Sequence, residues 1–98
     1  MDVSTVPPTI TVRYPGTLRA YCQGASKLTV SASDVRSVLE QLERHHPALY
    51  PNICDETGKV RQHLNLFVNT EHVRELDGLD TKLAAGDELT ILPAVSGG

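Results

Sequence analysis

The chain has 98 residues, 40% of them hydrophobic and 21% charged, with a formal charge of −3, which suits one globular domain and is unlike a disordered segment. Its Lys and Arg residues form no stripe, which excludes a nucleic-acid backbone as partner, because phosphate binding needs a concentrated basic face. No stretch has the length of a membrane span, and the opening "MDVSTVPPT" has neither the basic start nor the apolar run of an export signal. A cytoplasmic protein whose two cysteines, Cys22 and Cys54, stay reduced is therefore expected.

Aromatic residues are scarce, so Val, Leu and Ile must build the core. Residues 1–8 read as a flexible leader closed by Pro7 and Pro8, which cannot join a sheet interior. "TITVRY" then alternates, with Ile10, Val12 and Tyr14 on one face and Thr9, Thr11 and Arg13 on the other, the period of a strand. Pro15-Gly16 breaks it, "LRAYCQGAS" reads as a loop, and "KLTVSA" alternates again as a second, antiparallel strand. Ser33-Asp34 offers a helix N-cap with an acidic first turn, and Val35, Val38, Leu39 and Leu42 follow at the spacing of one helical face. Pro47 disfavours helical geometry at His46, so the main helix is placed at about 34–46.

From Pro47 to His63 the pattern is lost, apart from a turn at Asp55–Gly58. "LNLFVN" turns Leu64, Leu66 and Val68 inward and Asn65, Phe67 and Asn69 outward. "TEHVREL" reads as a turn and a short edge segment. An Asp77-Gly78 turn, a short helical turn around Leu79 to Leu83 and a Gly86-Asp87 turn precede the last strand, with Leu89 and Ile91 inward and Leu92 outward. A mixed sheet of four to five strands packed on one main helix is an α+β, β-grasp (ubiquitin-like) arrangement, with the domain at 9–93 and an extended tail at 94–98.

The segment Phe67 to Gly98 carries, in order, Val68-Asn69 at a strand end, Arg74, Gly78-Leu79, Gly86-Asp87 and a strand running into "PAVSGG". It resembles the MoaD/ThiS family of ubiquitin-like sulfur carriers, and the earlier elements extend the resemblance over about residues 9–98. The resemblance implies a carrier, not an enzyme, with no catalytic residue of its own. An ATP-dependent, ubiquitin-activating-type enzyme (MoeB/ThiF-like) adenylates the terminal carboxylate, here that of Gly98, and sulfur then displaces AMP to leave a thiocarboxylate. A biosynthetic enzyme accepts the sulfur. ATP is used by the activating partner, and no cofactor is expected on this chain. The long loop before the third strand and the ending "TILPAVSGG" look most like the carriers of cysteine synthesis, with those of molybdopterin and then thiamin thiazole or a specialised thio-metabolite as alternatives.

The tail has the make-up such chemistry requires. Ala94, Val95, Ser96, Gly97 and Gly98 span roughly 17 Å when extended, enough to reach into another protein. The two glycines let enzyme walls approach the backbone closely, at an entropic cost that docking elsewhere must offset. Phe67 and Leu92, outward and near the tail root, are the expected docking patch, with Arg13 and Arg74 as charged rim. His45, His46, His63 and His72 lack metal-ligand spacing, so no metal is expected, and neither cysteine carries a motif marking a depressed pKa. Two other classes share these features: a modifier joined to lysines through Gly98, and a passive β-grasp interaction module.

Overall fold

The alternating stretch Thr9–Arg13 forms strand β1, with Ile10 and Val12 fully buried. In the computed structural model, which describes residues 7–22, 24, 25 and 27–93 (backbone only at Cys22), this strand lies inside a five-stranded sheet. The other strands are β2 (Lys27–Ser31), β3 (Leu64–Val68), β4 (Glu71–His72) and β5 (Glu88–Pro93), in the order β2-β1-β5-β3-β4. β5 runs parallel to β1, Val12 beside Leu89, and antiparallel to β3, Leu66 opposite Ile91. The inward residues of β1, β3 and β5 meet helix α1 (Val35–His45), whose Val35, Val38, Leu39 and Leu42 are all buried. Each such side chain gains roughly 1.5–3 kcal/mol over exposure, and together they hold helix and sheet as two layers. This is the expected β-grasp arrangement.

Asp34 caps the helix itself: its Oδ1 accepts from the Ser37 N–H at 2.8 Å. The first turn therefore holds no acidic residue, unlike the expectation, because the acid is spent as the cap. At the other end the His46 N–H donates to Leu42 O at 2.8 Å, and Pro47 follows. Two stretches carry more structure than their patterns suggest, and the turn expected at Asp55–Gly58 is present. Gly16–Cys22, read as loop, is a 3-10 turn that begins with Leu18 N–H donating to Pro15 O and inserts Leu18 into the core. Tyr50–Asn52 forms another, bringing Leu49, Ile53 and Cys54 inside. Asp55 closes the turn beyond, its Oδ1 accepting from Thr57 N, Thr57 Oγ1 and Lys59 N, which holds its carboxyl below the usual range.

The helical turn expected over Leu79 to Leu83 is shifted and shorter, at Gly78–Asp80. Buried Thr81 explains the stop: its hydroxyl accepts from Asp77 N at 3.0 Å and donates to Gly78 O at 2.7 Å. Beyond it the backbone extends and docks on the start of α1, Val35 N–H donating to Thr81 O and Leu83 N–H to Ser33 O. The helix is thereby tied to the segment that feeds β5.

Candidate functional site

β5 ends at Pro93, opposite Leu64, and the stretch expected to work chemically, Ala94, Val95, Ser96, Gly97 and Gly98, lies outside the described residues. What the structure describes is the root of that stretch and the surface around it. The start of β5 is held by two pieces of the sequence motif that are 18 positions apart. Asn69 leaves β3 with φ 56°, a left-handed conformation that Asn tolerates better than most residues. In that pose its N–H donates to Glu88 O at 2.8 Å, its Oδ1 accepts from Glu88 N at 3.1 Å, and its Nδ2 donates to Asp87 Oδ1 at 3.2 Å. Asp87 Oδ2 in turn accepts from Ala84 N at 2.8 Å, and Gly86, at φ 89°, makes the turn before it. Asn69 and Asp87 both stand in the ordered motif, where nothing local to either residue points to the other. Their pairing needs the β3–β5 register, which no local pattern reveals.

The outward side chains lie on the sheet face away from α1. The strand pairings set Lys27, Arg13, Thr90, Phe67 and His72 in one row across all five strands. Phe67 and Leu92 are diagonal neighbours on β3 and β5, close enough for large side chains to share a surface. They differ in exposure. Leu92 is 43% exposed, whereas Phe67 is half-buried, with the His72 ring edge-on at 5.1 Å and 69°. The His72 ring is fixed at both nitrogens: Nδ1 accepts from Arg74 N at 2.9 Å, so the neutral ring carries its proton on Nε2 and donates it to Asn65 Oδ1 at 3.0 Å. Asn65 lies opposite Leu92, so the network borders the exposed patch.

The two arginines lie on opposite flanks of this patch. Arg13 pairs with Glu88 through two contacts of 3.2 and 3.4 Å at the surface. Arg74 sits beyond β4 in the 3-10 turn Val73–Glu75, exposed, its Nη2 3.4 Å from His72 Nε2. It lines a separate groove along the edge of β3 and does not share Arg13's row. Cys54 is a free thiol, 1% exposed, and burial pushes its pKa up, which disfavours the thiolate that sulfur-transfer chemistry needs. Among the described residues no three His, Cys, Asp or Glu side chains form a metal-binding group, and no helix is long and apolar enough to cross a membrane.

The sequence of residues 12–98 matches the model of the ThiS family. The chain belongs to the ThiS family. Among the relatives of this ThiS-family chain is the sulfur carrier protein CysO of Mycobacterium tuberculosis, 36% identical over 91 residues, covering 91% of this chain and 98% of CysO. The crystal structure of that CysO superposes with a TM-score of 0.79, covering 88% of this chain and 99% of the other. CysO in complex with BexX from Amycolatopsis orientalis gives a TM-score of 0.79 at 34% identity, covering 91% and 99%. Small archaeal modifier protein 1 of Methanosarcina acetivorans gives 0.78 at 33%, covering 97% and 100%. The ThiS-family chain is thus a sulfur carrier or ubiquitin-like modifier by kinship, a non-catalytic protein, with the β-grasp fold of these relatives.

Proposed function

We propose that this protein is a sulfur carrier whose working group is the carboxylate of Gly98. The observation that carries the reading is the family match running through Gly98, joined to 36% identity with CysO over nearly the whole of both chains. A carboxylate oxygen of Gly98 attacks the α-phosphorus of ATP on an activating enzyme, releasing pyrophosphate and forming an acyl-adenylate. A sulfide equivalent then displaces AMP, the C–O bond to phosphate breaking as the C–S bond forms, and a thiocarboxylate remains. A biosynthetic enzyme takes the sulfur, and cysteine synthesis is the pathway favoured by the likeness to CysO. ATP-dependent activation fits a cytoplasmic location.

Positions 9–93 serve in this reading as the recognition domain and 94–98 as the probe. Leu92 and Phe67 form the docking patch, and Arg13, held by Glu88, bounds it on the β1 side. A CysO relative in complex with BexX supports a protein partner for this class of domain. A second reading draws support from the likeness to small archaeal modifier protein 1: the same activated Gly98 attacked by a lysine amine to give an isopeptide. The test is the intact mass after incubation with ATP, sulfide and the host's activating enzyme, beside a variant lacking Gly98. Exchange of one oxygen for sulfur in the full-length chain alone is expected. No exchange with an enzyme proven active on another carrier, together with lysine-linked ladders in extract, would favour the modifier and reject the carrier.

A further inference from the structure

β4 pairs only with Phe67 and Val68, so among the described residues the Leu64–Leu66 half of β3 has no strand on that side. A groove of about 410 Å³ borders this open edge. Val60, Leu66 and Leu79 supply its apolar lining, and exposed Lys59, Arg61 and Arg74 its charge. No carboxylate lines it, although Glu71, Glu75 and Asp77 are near in sequence. Among the described residues none of the three cations has an ion-pair partner, whereas Arg13, Arg36 and Lys82 elsewhere each have one. Arg61 is instead steadied by Nε donating to Pro51 O at 2.7 Å. Lys59 and Arg74, with Arg61 whose charge also acts on the Asp55 carboxylate, thus border an apolar groove on a protein whose net charge is −3.

An open strand edge offers backbone groups at the spacing of another extended chain, and apolar hollows beside it take alternate side chains. We propose that this groove receives an extended acidic peptide from a partner protein. The peptide lies as an added strand along Leu64–Leu66, with an apolar side chain against Val60 and Leu79 and carboxylates at Lys59, Arg61 and Arg74. Charge complementarity selects this occupant. A nucleic acid would meet the cations but also the field of an acidic protein, and it offers no strand-like backbone. The groove does not depend on tail chemistry, so it can succeed or fail apart from the carrier reading.

The experiment titrates the full-length, isotope-labelled protein with the synthetic peptide Asp-Glu-Leu-Thr-Val-Thr-Asp-Glu and follows amide shifts by NMR. Shifts clustered at residues 59–66 and 72–79, weakening as salt rises, are expected. Lys59→Glu with Arg74→Glu removes two attractions and adds two repulsions at exposed sites, and is expected to weaken binding by about tenfold. Because both side chains are exposed, the fold should survive, which the dispersion of the same spectra verifies. Shifts confined to the Phe67–Leu92 face, no shift up to about 1 mM peptide, or equal binding of a peptide with Lys at the four acidic positions would each overturn the proposal. The cations would then merely guard the edge against pairing.

Discussion

Replacing Asn69 separates two contributions to the latch at the start of β5. Asn69→Ala removes the two side-chain hydrogen bonds, to Asp87 Oδ1 at 3.2 Å and from Glu88 N at 3.1 Å. Both lie at the exposed end of the sheet, so together they contribute about 1–1.5 kcal/mol. Ala must also be held at φ 56°, which costs about 1 kcal/mol more. Asn69→Gly loses the same two bonds but accepts the backbone conformation, at the expense of a few tenths of a kcal/mol of added freedom in the unfolded chain. Ala should therefore destabilise by roughly 2–2.5 kcal/mol and Gly by roughly 1.3–1.8 kcal/mol. For a domain of this size those figures correspond to falls in Tm of about 10–15 °C and about 5–10 °C. Urea and thermal unfolding followed by circular dichroism measure both variants against the parent. A Gly variant less stable than the Ala variant would refute the reasoning, because the left-handed backbone would then contribute nothing. Coupling to Asp87→Ala of about 0.5–1 kcal/mol is expected from a double-mutant cycle. Additivity there would mean that the two motif residues do not act together.

Leu92→Glu alters a side chain that is 43% exposed, so stability should move by no more than about 0.5 kcal/mol. The KM of the activating enzyme for this protein should rise by about tenfold, and an unchanged KM would remove Leu92 from the docking patch. Asp34 tests the helix cap through pH. Its hydrogen bonds with Ser37, first, hold its carboxyl below the ordinary value, with Lys82 and Arg36 adding smaller contributions. A depressed folded pKa means the contribution is complete above about pH 4 and fades as pH falls through the lower folded value. The parent should therefore lose more stability than Asp34→Asn as pH falls below about 4, and parallel curves for the two would count against the cap carboxylate.

Short-range physics was enough to place most elements from the residues alone. Alternation at period 2 put Ile10, Val12, Leu64, Leu66 and Ile91 inside, and the spacing of Val35, Val38, Leu39 and Leu42 defined the helical face that covers them. Asp34 and Pro47 marked its ends because capping and the restriction before proline are local. The same alternation placed Phe67, Leu92 and Arg13 outward, and the ordered motif pointed to the family. The irregular stretches escaped it: Leu18, Leu49 and Ile53 are buried by 3-10 turns, whose short lengths carry no period to detect. The antiparallel pairing of β1 with β2 was legible, but only the tertiary structure decided that β5 lies between β1 and β3, because that hydrogen bonding joins residues far apart in the chain. That neighbourhood brings Asn69 to Asp87 and sets Phe67 beside Leu92. The hairpin to β4 covers Phe67 with His72, and the brevity of β4 leaves the other half of β3 open. Parity gives a side chain its face of the sheet. Whether that face is covered depends on where the rest of the chain comes to lie.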